Sequence, residues 1–225
     1  MLNVNDLIGK IVCADCMDIL KQLPDKCVDL VLTDPPYGIS YNNKKLKRKS
    51  SCEFRNIEND NSELDYCCLI KELERVAKTV IVFGANCFFT TGCFNHNCGR
   101  WICWDKRTTE LADNALGFAF ELAWTNKTSG YGKIYRVMHG GFINADGPNT
   151  QRIHPTQKPV ILFEKILFDY SKENDLVLDC FSGSGTTAIA CHRLNRRFIC
   201  IEKDPEYAKA SIKRLEDAKK QLTLF

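Results

Sequence analysis

The chain has 225 residues, 44% hydrophobic and 26% charged, which suits one globular domain with room for a sizeable core. A formal net charge of +3 does not by itself announce a nucleic-acid partner, so any basic surface must come from how the charges are distributed. No apolar run is long enough to span a membrane, and residues 1–10 lack the basic start and apolar stretch of a secretory signal, so a cytoplasmic protein is expected.

The first strong element is the apolar run 28–33, read as a buried strand, followed at once by Asp34-Pro35-Pro36-Tyr37. Consecutive prolines remove ladder donors and fix φ, so the strand stops there. The Asp34 carboxylate and the Pro35 carbonyl are left as acceptors beside the Tyr37 ring, at a strand end of the kind where open α/β folds collect ligands. Two acceptors and an aromatic face suit a flat base carrying an exocyclic amine.

A polar segment follows, holding Lys44, Lys45, Lys47, Arg48 and Lys49 and read as a mobile basic loop at about 42–61, placed to bind phosphates beside the site. Periodicity then gives a helix over 62–78 and strands over 79–84, 100–105 and 119–125. Trp104-Asp105-Lys106-Arg107 ends one of these strands, where it either borders a cleft or, for the tryptophan, joins the core. Within residues 126–153, Tyr131, Lys133 and Arg136 are candidate base and phosphate contacts.

The C-terminal part reads as a helix over 159–171, a strand over 175–179, a helix over 185–194, a strand over 197–201 and a helix over 204–221, the last opened by Asp204 as N-cap and Pro205 at its first position. Between the strand ending at Asp179 and the next helix lies the turn Phe181-Ser182-Gly183-Ser184-Gly185-Thr186-Thr187, and the following strand ends in Glu202. That is a βαβ unit with a nucleotide-type turn and an acid placed to hold ribose hydroxyls, a sign of an adenosine-containing cofactor. No P-loop pattern occurs, which removes support for ATP hydrolysis.

Strands alternating with helices predict a single α/β domain over 1–225 with a mostly parallel, doubly wound, Rossmann-like sheet. The thirteen cysteines are spread along the chain, with Cys67, Cys68, Cys103, Cys191 and Cys200 in predicted strands and helices, and they read as small buried hydrophobes. Cys13-x-x-Cys16 and Cys93-x-x-His96-x-Cys98 lack the paired spacing of a zinc ribbon or finger, and no metal is expected.

Asp34-Pro35-Pro36-Tyr37, His154-Pro155-Thr156-Gln157-Lys158-Pro159 and Phe181-x-Gly183-x-Gly185, in that order, resemble the β class of DNA amino-methyltransferases, which use S-adenosylmethionine. The resemblance runs from Asp15 to about Tyr207 and departs at Cys180, where the family usually has proline. It implies the class I methyltransferase fold with a circularly permuted motif order, double-stranded DNA as substrate, methylation of adenine N6, and a restriction-modification role. It makes Asp34, Pro35, Pro36 and Tyr37 the catalytic turn. For the cofactor it implies Asp15 at the adenine amine, Thr156 and Lys158 closing the methionine carboxylate, and Asp179, Phe181, Ser182, Gly183, Gly185 and Thr186 along the methionine part, with Glu202 and Lys203 at the ribose side. The family's target-recognition region falls in the short stretch 126–153, and the sequence leaves open whether it acts alone, as a homodimer or with a partner subunit. Methylation of cytosine N4 uses the same chemistry; a nicotinamide-dependent oxidoreductase or a silent DNA-binding subunit would leave these motifs idle.

Overall fold

Val28–Thr33 (β2) is buried at every residue except the half-exposed Asp29, as a strand covered by helices on both faces must be. In the computed structural model, which describes residues 2–37, 64–88, 99–107, 119–128, 130, 132–139, 145–147 and 152–222, this strand lies inside an eight-stranded sheet. Beyond it on one side come β7 (Leu176–Asp179), β8 (Arg197–Glu202) and β1 (Lys10–Cys13); on the other come β3 (Ala77–Phe83), β5 (Phe120–Thr125), β4 (Arg100–Asp105) and β6 (Lys133–Arg136). All pairings are parallel except those of β5 with β3 and β4.

Helices α1 (Cys16–Leu20), α2 (Tyr66–Val76) and α3 (Ala85–Phe88) cover one face; α4 (Val160–Tyr170), α5 (Thr186–Arg193) and α6 (Pro205–Leu222) cover the other. The two cores divide β2 between them: Val31 packs with Leu69, Ile70 and Leu73 of α2, while Leu30 and Leu32 pack with Phe163 and Ile166 of α4. Each such leucine or isoleucine contributes about 1.5–3 kcal/mol by leaving water. The doubly wound, mostly parallel α/β sheet expected from the sequence is therefore the fold.

Its winding fixes where a ligand can bind. The connection from β7 to β8 passes through α5 on one face, whereas that from β2 to β3 passes through α2 on the other, so the chain parts at the boundary of β7 and β2. A crevice opens at the carboxyl ends of strands at such a switch point. The antiparallel β5 brings its first residues, not its last, to the same edge; Glu121 stands opposite Trp104 near the end of β4.

Several expectations needed correction. The helix expected at 62–78 starts at Tyr66, because the Asp65 side chain accepts from the Cys68 amide at 3.0 Å and caps it, and it ends where β3 takes over at Ala77. The strand β1 and the short helices α1 and α3 were not read from the sequence at all; four or five residues carry too little period to register. The stretch 126–153 contains the strand β6, paired in parallel with β4. Of the cysteines, Cys16, Cys180, Cys191 and Cys200 are buried as expected, but Cys13 and Cys87 are exposed and Cys67 is disulfide-bonded. Lys44, Lys45, Lys47, Arg48 and Lys49, the loop expected at 42–61, Tyr131, and Cys93, His96 and Cys98 lie outside the described residues. No helix among the described residues is long and apolar enough to cross a membrane.

Candidate active site

The proline pair ends β2, and the next residues turn over its carboxyl end. The Tyr37 hydroxyl donates to Asp34 Oδ1 at 2.6 Å, so aromatic ring and acid are locked together within one turn. The Tyr66 hydroxyl, at the start of α2, donates to the Pro36 carbonyl at 2.6 Å and fixes the turn from outside, while its ring stacks on Phe88 with centroids 4.1 Å apart. Gly84, directly after β3, is the seat of the Tyr37 ring: its φ is +66°, and a Cβ there would lie 1.9 Å from Tyr37 Cε1. No side chain fits at that position unless the tyrosine leaves.

Asp34 also accepts from the Lys158 ammonium, in a contact closed across 124 residues of chain. Lys158 Nζ lies 3.2 Å from Glu121 Oε2, and Glu121 Oε1 accepts from Lys106. Four alternating charges thus run from Lys106, just past β4, inward to the turn after β2. Burial pushes the Asp34 carboxyl up, opposed by Lys158. Burial likewise opposes the charged forms of Lys158 and Glu121, but their partners outweigh it: Lys158 lies above its usual value and Glu121 is held down to about 2. Lys158 is therefore a cation and Glu121 an anion at neutral pH. Sequence reasoning missed Glu121 and noted Lys106 only as part of a segment bordering a cleft. The available signal was one acid inside the strand Phe120-Glu121-Leu122-Ala123-Trp124, a burial that must be paired.

The second half of the site is the crevice between β7, β8 and the turn before α4. One part is lined by Asp15, Glu202, Lys203 and Tyr207, the other by Asp34, Thr156, Lys158 and Thr186, and His154, Phe181 and Gly183 border both. Glu202 accepts from the Gly183 amide at 2.7 Å and the Asp204 amide at 2.9 Å, which turns its carboxylate along the crevice wall. Gly185 opens α5 with φ +74°, and a Cβ there would meet Ser211 Cβ of α6 at 3.0 Å, so the turn is pressed between helices. Arg214 of α6 clamps it from behind, donating to the Ser184 carbonyl at 3.0 Å and to Thr186 Oγ1 at 3.2 Å.

Asp179 has a supporting place. Its buried carboxylate, raised to about 6 by burial, accepts from Thr33, Thr187 and the Phe181 amide, stitching β2 to β7 beneath the crevice. Ser182 is buried, and its amide donates to the Ile201 carbonyl at 2.8 Å. Asp15 caps α1 through the Met17 amide at 2.9 Å and pairs with Lys203 at 3.2 Å. Thr156 Oγ1 is 3.1 Å from His154 Nδ1; burial and the nearby Lys158 push the His154 imidazole down to about 4, leaving it neutral.

The candidate DNA contacts that are described separate into two kinds. Arg136, at the carboxyl end of β6, is 69% exposed, with Nε 3.6 Å from Asp105. Lys133 pairs at 2.6 Å with Asp169 in the last turn of α4, the end of that helix away from Lys158. Trp104 is core: its indole donates to the Val137 carbonyl at 2.8 Å under the Lys106 ammonium.

The chain is similar to known DNA methyltransferases in sequence and in fold. Residues 121–213 match the DNA methylase family. The Type II methyltransferase M.HinfI of Haemophilus influenzae is 28% identical, in an alignment covering 96% of this chain and 71% of that protein. The crystal structure of the M1.HpyAVI–SAM complex is similar at a TM-score of 0.58 and 26% identity, covering 92% of this chain and 98% of that one. PvuII DNA methyltransferase (cytosine-N4-specific) shares the fold at a TM-score of 0.62 and 17% identity, over 92% of this chain and 90% of that one. The family match spans β5 to α6, taking in Glu121, Lys158 and the glycine-rich turn together, and with likeness along nearly the whole chain it supports a DNA amino-methyltransferase of the N6/N4 family.

Proposed function

We propose that this protein is a site-specific methyltransferase that carries the methyl group of S-adenosylmethionine to the exocyclic N6 amine of adenine in double-stranded DNA. One observation carries the reading: Asp34, set between the Tyr37 hydroxyl and the Lys158 ammonium, faces the crevice that runs past Phe181 to Glu202. The acid that would hold the amine and the acid that would hold the ribose thus border two adjoining cavities at the switch point, which share His154, Phe181 and Gly183.

The chain's own residues fit the cofactor. Glu202 is an acceptor for the ribose hydroxyls, Lys203 and Asp15 border the adenine end, and the turn Phe181 to Thr186, with Asp179 beneath it, lies along the methionine part. Thr156 and Lys158 close that end. Bound there, S-adenosylmethionine supplies an electrophilic methyl group on a sulfonium. The crystal structure of a 26% identical relative with S-adenosylmethionine supports the assignment.

The amino nitrogen of adenine is a poor nucleophile because its lone pair is delocalised into the ring. Hydrogen bonds from its two N–H groups to Asp34 and the Pro35 carbonyl favour a tetrahedral nitrogen and localise that pair for attack. Bound S-adenosylmethionine would supply the methyl group to that nitrogen and be left as the neutral thioether, and the nitrogen would release one proton to solvent. Positioning and local electrostatics do the catalysis. Tyr37 stacks on the base once it has left the duplex, offsetting part of an unstacking cost of a few kcal/mol. Residues 126–153, with Arg136, and the cations Lys44 to Lys49 are proposed as the DNA-facing parts of a single domain. The likeness to a Type II methyltransferase supports a place in restriction-modification.

Cytosine N4 offers the same pair of N–H groups, and the leading acid of Asp34-Pro35-Pro36-Tyr37 favours adenine only as a family tendency. Sequencing modified bases in DNA from cells expressing the chain tests both. N6-methyladenine at a fixed sequence is the expected result; N4-methylcytosine would transfer the reading to the other base, and amine bases left unmethylated would overturn it.

A further inference from the structure

Asp34 is already satisfied in this structure. Tyr37 donates to one oxygen and Lys158 to the other, so an incoming amine must compete with an ammonium for Asp34 Oδ2. Lys158 cannot simply withdraw, because its side chain is only 8% exposed and an unpaired buried ammonium is costly. A second acceptor stands ready. Glu121 Oε2 is buried, lies 3.2 Å from Lys158 Nζ, a longer contact than the one Lys158 makes to Asp34, and has no other described donor. Lys106 holds the other Glu121 oxygen and fixes the carboxylate in place.

We propose that Glu121 is a positioning residue for methyl transfer: it receives the Lys158 ammonium when the amine of the target base takes Asp34 Oδ2. A movement of roughly 0.4 Å brings Nζ to the 2.8 Å of a charge-assisted bond, so the exchange needs no change of fold. Lys158 stays paired in both states, and Asp34 meets the amine with that oxygen released. The inference rests on the reading of Asp34 as the amine's acceptor.

The test uses the full chain, enzymatically amplified and therefore unmethylated genomic DNA, and radiolabelled S-adenosylmethionine. Glu121→Gln keeps the shape but weakens the landing site, and should slow single-turnover transfer at least tenfold while leaving cofactor affinity within threefold. Glu121→Asp, which restores the charge, should recover part of the rate. In a Lys158→Met background, Glu121→Gln should cost less than a further twofold, because the lysine through which it acts is gone.

The pH profile supplies a readout that a merely structural role would not move. Asp34 is faced by Lys158 from the turn before α4, Glu121 from β5, Tyr37 from its own turn and Asp179 from β7, with Cys87 of α3 close by. Glu121 is the anion whose removal lets the Asp34 carboxyl titrate lower, so the acid limb should move to lower pH in Glu121→Gln. A wild-type rate in Glu121→Gln, or an equal loss with and without Lys158, would overturn the inference. Should Glu121→Gln fail to fold, Glu121→Asp and the Lys158→Met pair decide it by the same criteria. An active Asp34→Ala would instead overturn the underlying reading of the site.

Discussion

The two halves of the crevice are built on different principles. The proposed cofactor side, from Leu176 to Asp204, is one contiguous βαβ unit whose polar wall is largely main chain: the Gly183 and Asp204 amides hold Glu202, and the Phe181 amide holds Asp179. The proposed catalytic side draws Asp34, Lys106, Glu121 and Lys158 from four separate elements and joins them through side-chain charges. A site made from a local turn tolerates change elsewhere in the chain. A site made from distant charges depends on the sheet to deliver each one, and every member left unpaired is a buried ion.

This contrast is broken most sharply at Asp34. Asp34→Ala removes an acceptor that matters in the transition state, so kcat should fall about 10³-fold or more while calorimetry finds S-adenosylmethionine affinity within a few-fold. Comparable losses of both would mean that the two sides are not separate. Smaller is the effect expected at His154, which stands where they meet. Burial keeps its imidazole neutral in the folded chain down to about pH 4, against 6.5 when exposed. Between those values the unfolded chain binds the extra proton, so stability should fall as pH drops from 6.5 to 4, by about 3 kcal/mol in all. Chemical denaturation of His154→Asn across that range should give a flatter profile; an unchanged slope would return the proton to another group.

On the cofactor side, Glu202→Ala should weaken S-adenosylmethionine binding by about 1–3 kcal/mol, the cost of one lost charged acceptor. Unchanged affinity in calorimetry would mean that the ribose lies elsewhere. The smallest effect belongs to Tyr66→Phe, which deletes only the hydroxyl bonded to Pro36 and should cost about 1 kcal/mol in thermal stability with a modest loss of kcat. A melting temperature equal to wild type would deny that bond a part in holding the turn.

Legibility in the sequence follows the same division. The turn at Phe181 to Thr187, Glu202 and the cap at Asp204 were readable because each is a pattern within a few residues; the Asp204 carboxylate does accept from the Glu206 and Tyr207 amides. The strand ending in Asp34 was readable because an apolar run met two prolines. The part played by Glu121 was not, since it depends on β5 running against its neighbours and so offering its first residues at the edge where the others end. Lys158 was noticed for its motif, yet its pairing with Asp34 spans 124 residues and has no local signature. Likewise β1, four residues long, owes its existence to its parallel pairing with β8 and not to any period of its own.

The most direct test of this division of labour is single-turnover methyl transfer on unmethylated DNA, with Asp34→Ala and Glu202→Ala compared as S-adenosylmethionine is raised to saturation. Glu202→Ala should recover a rate constant near wild type once its weakened site is filled, and Asp34→Ala should stay at background at every concentration. A Glu202→Ala rate that remains low at saturation, or an Asp34→Ala rate within tenfold of wild type, would contradict the account.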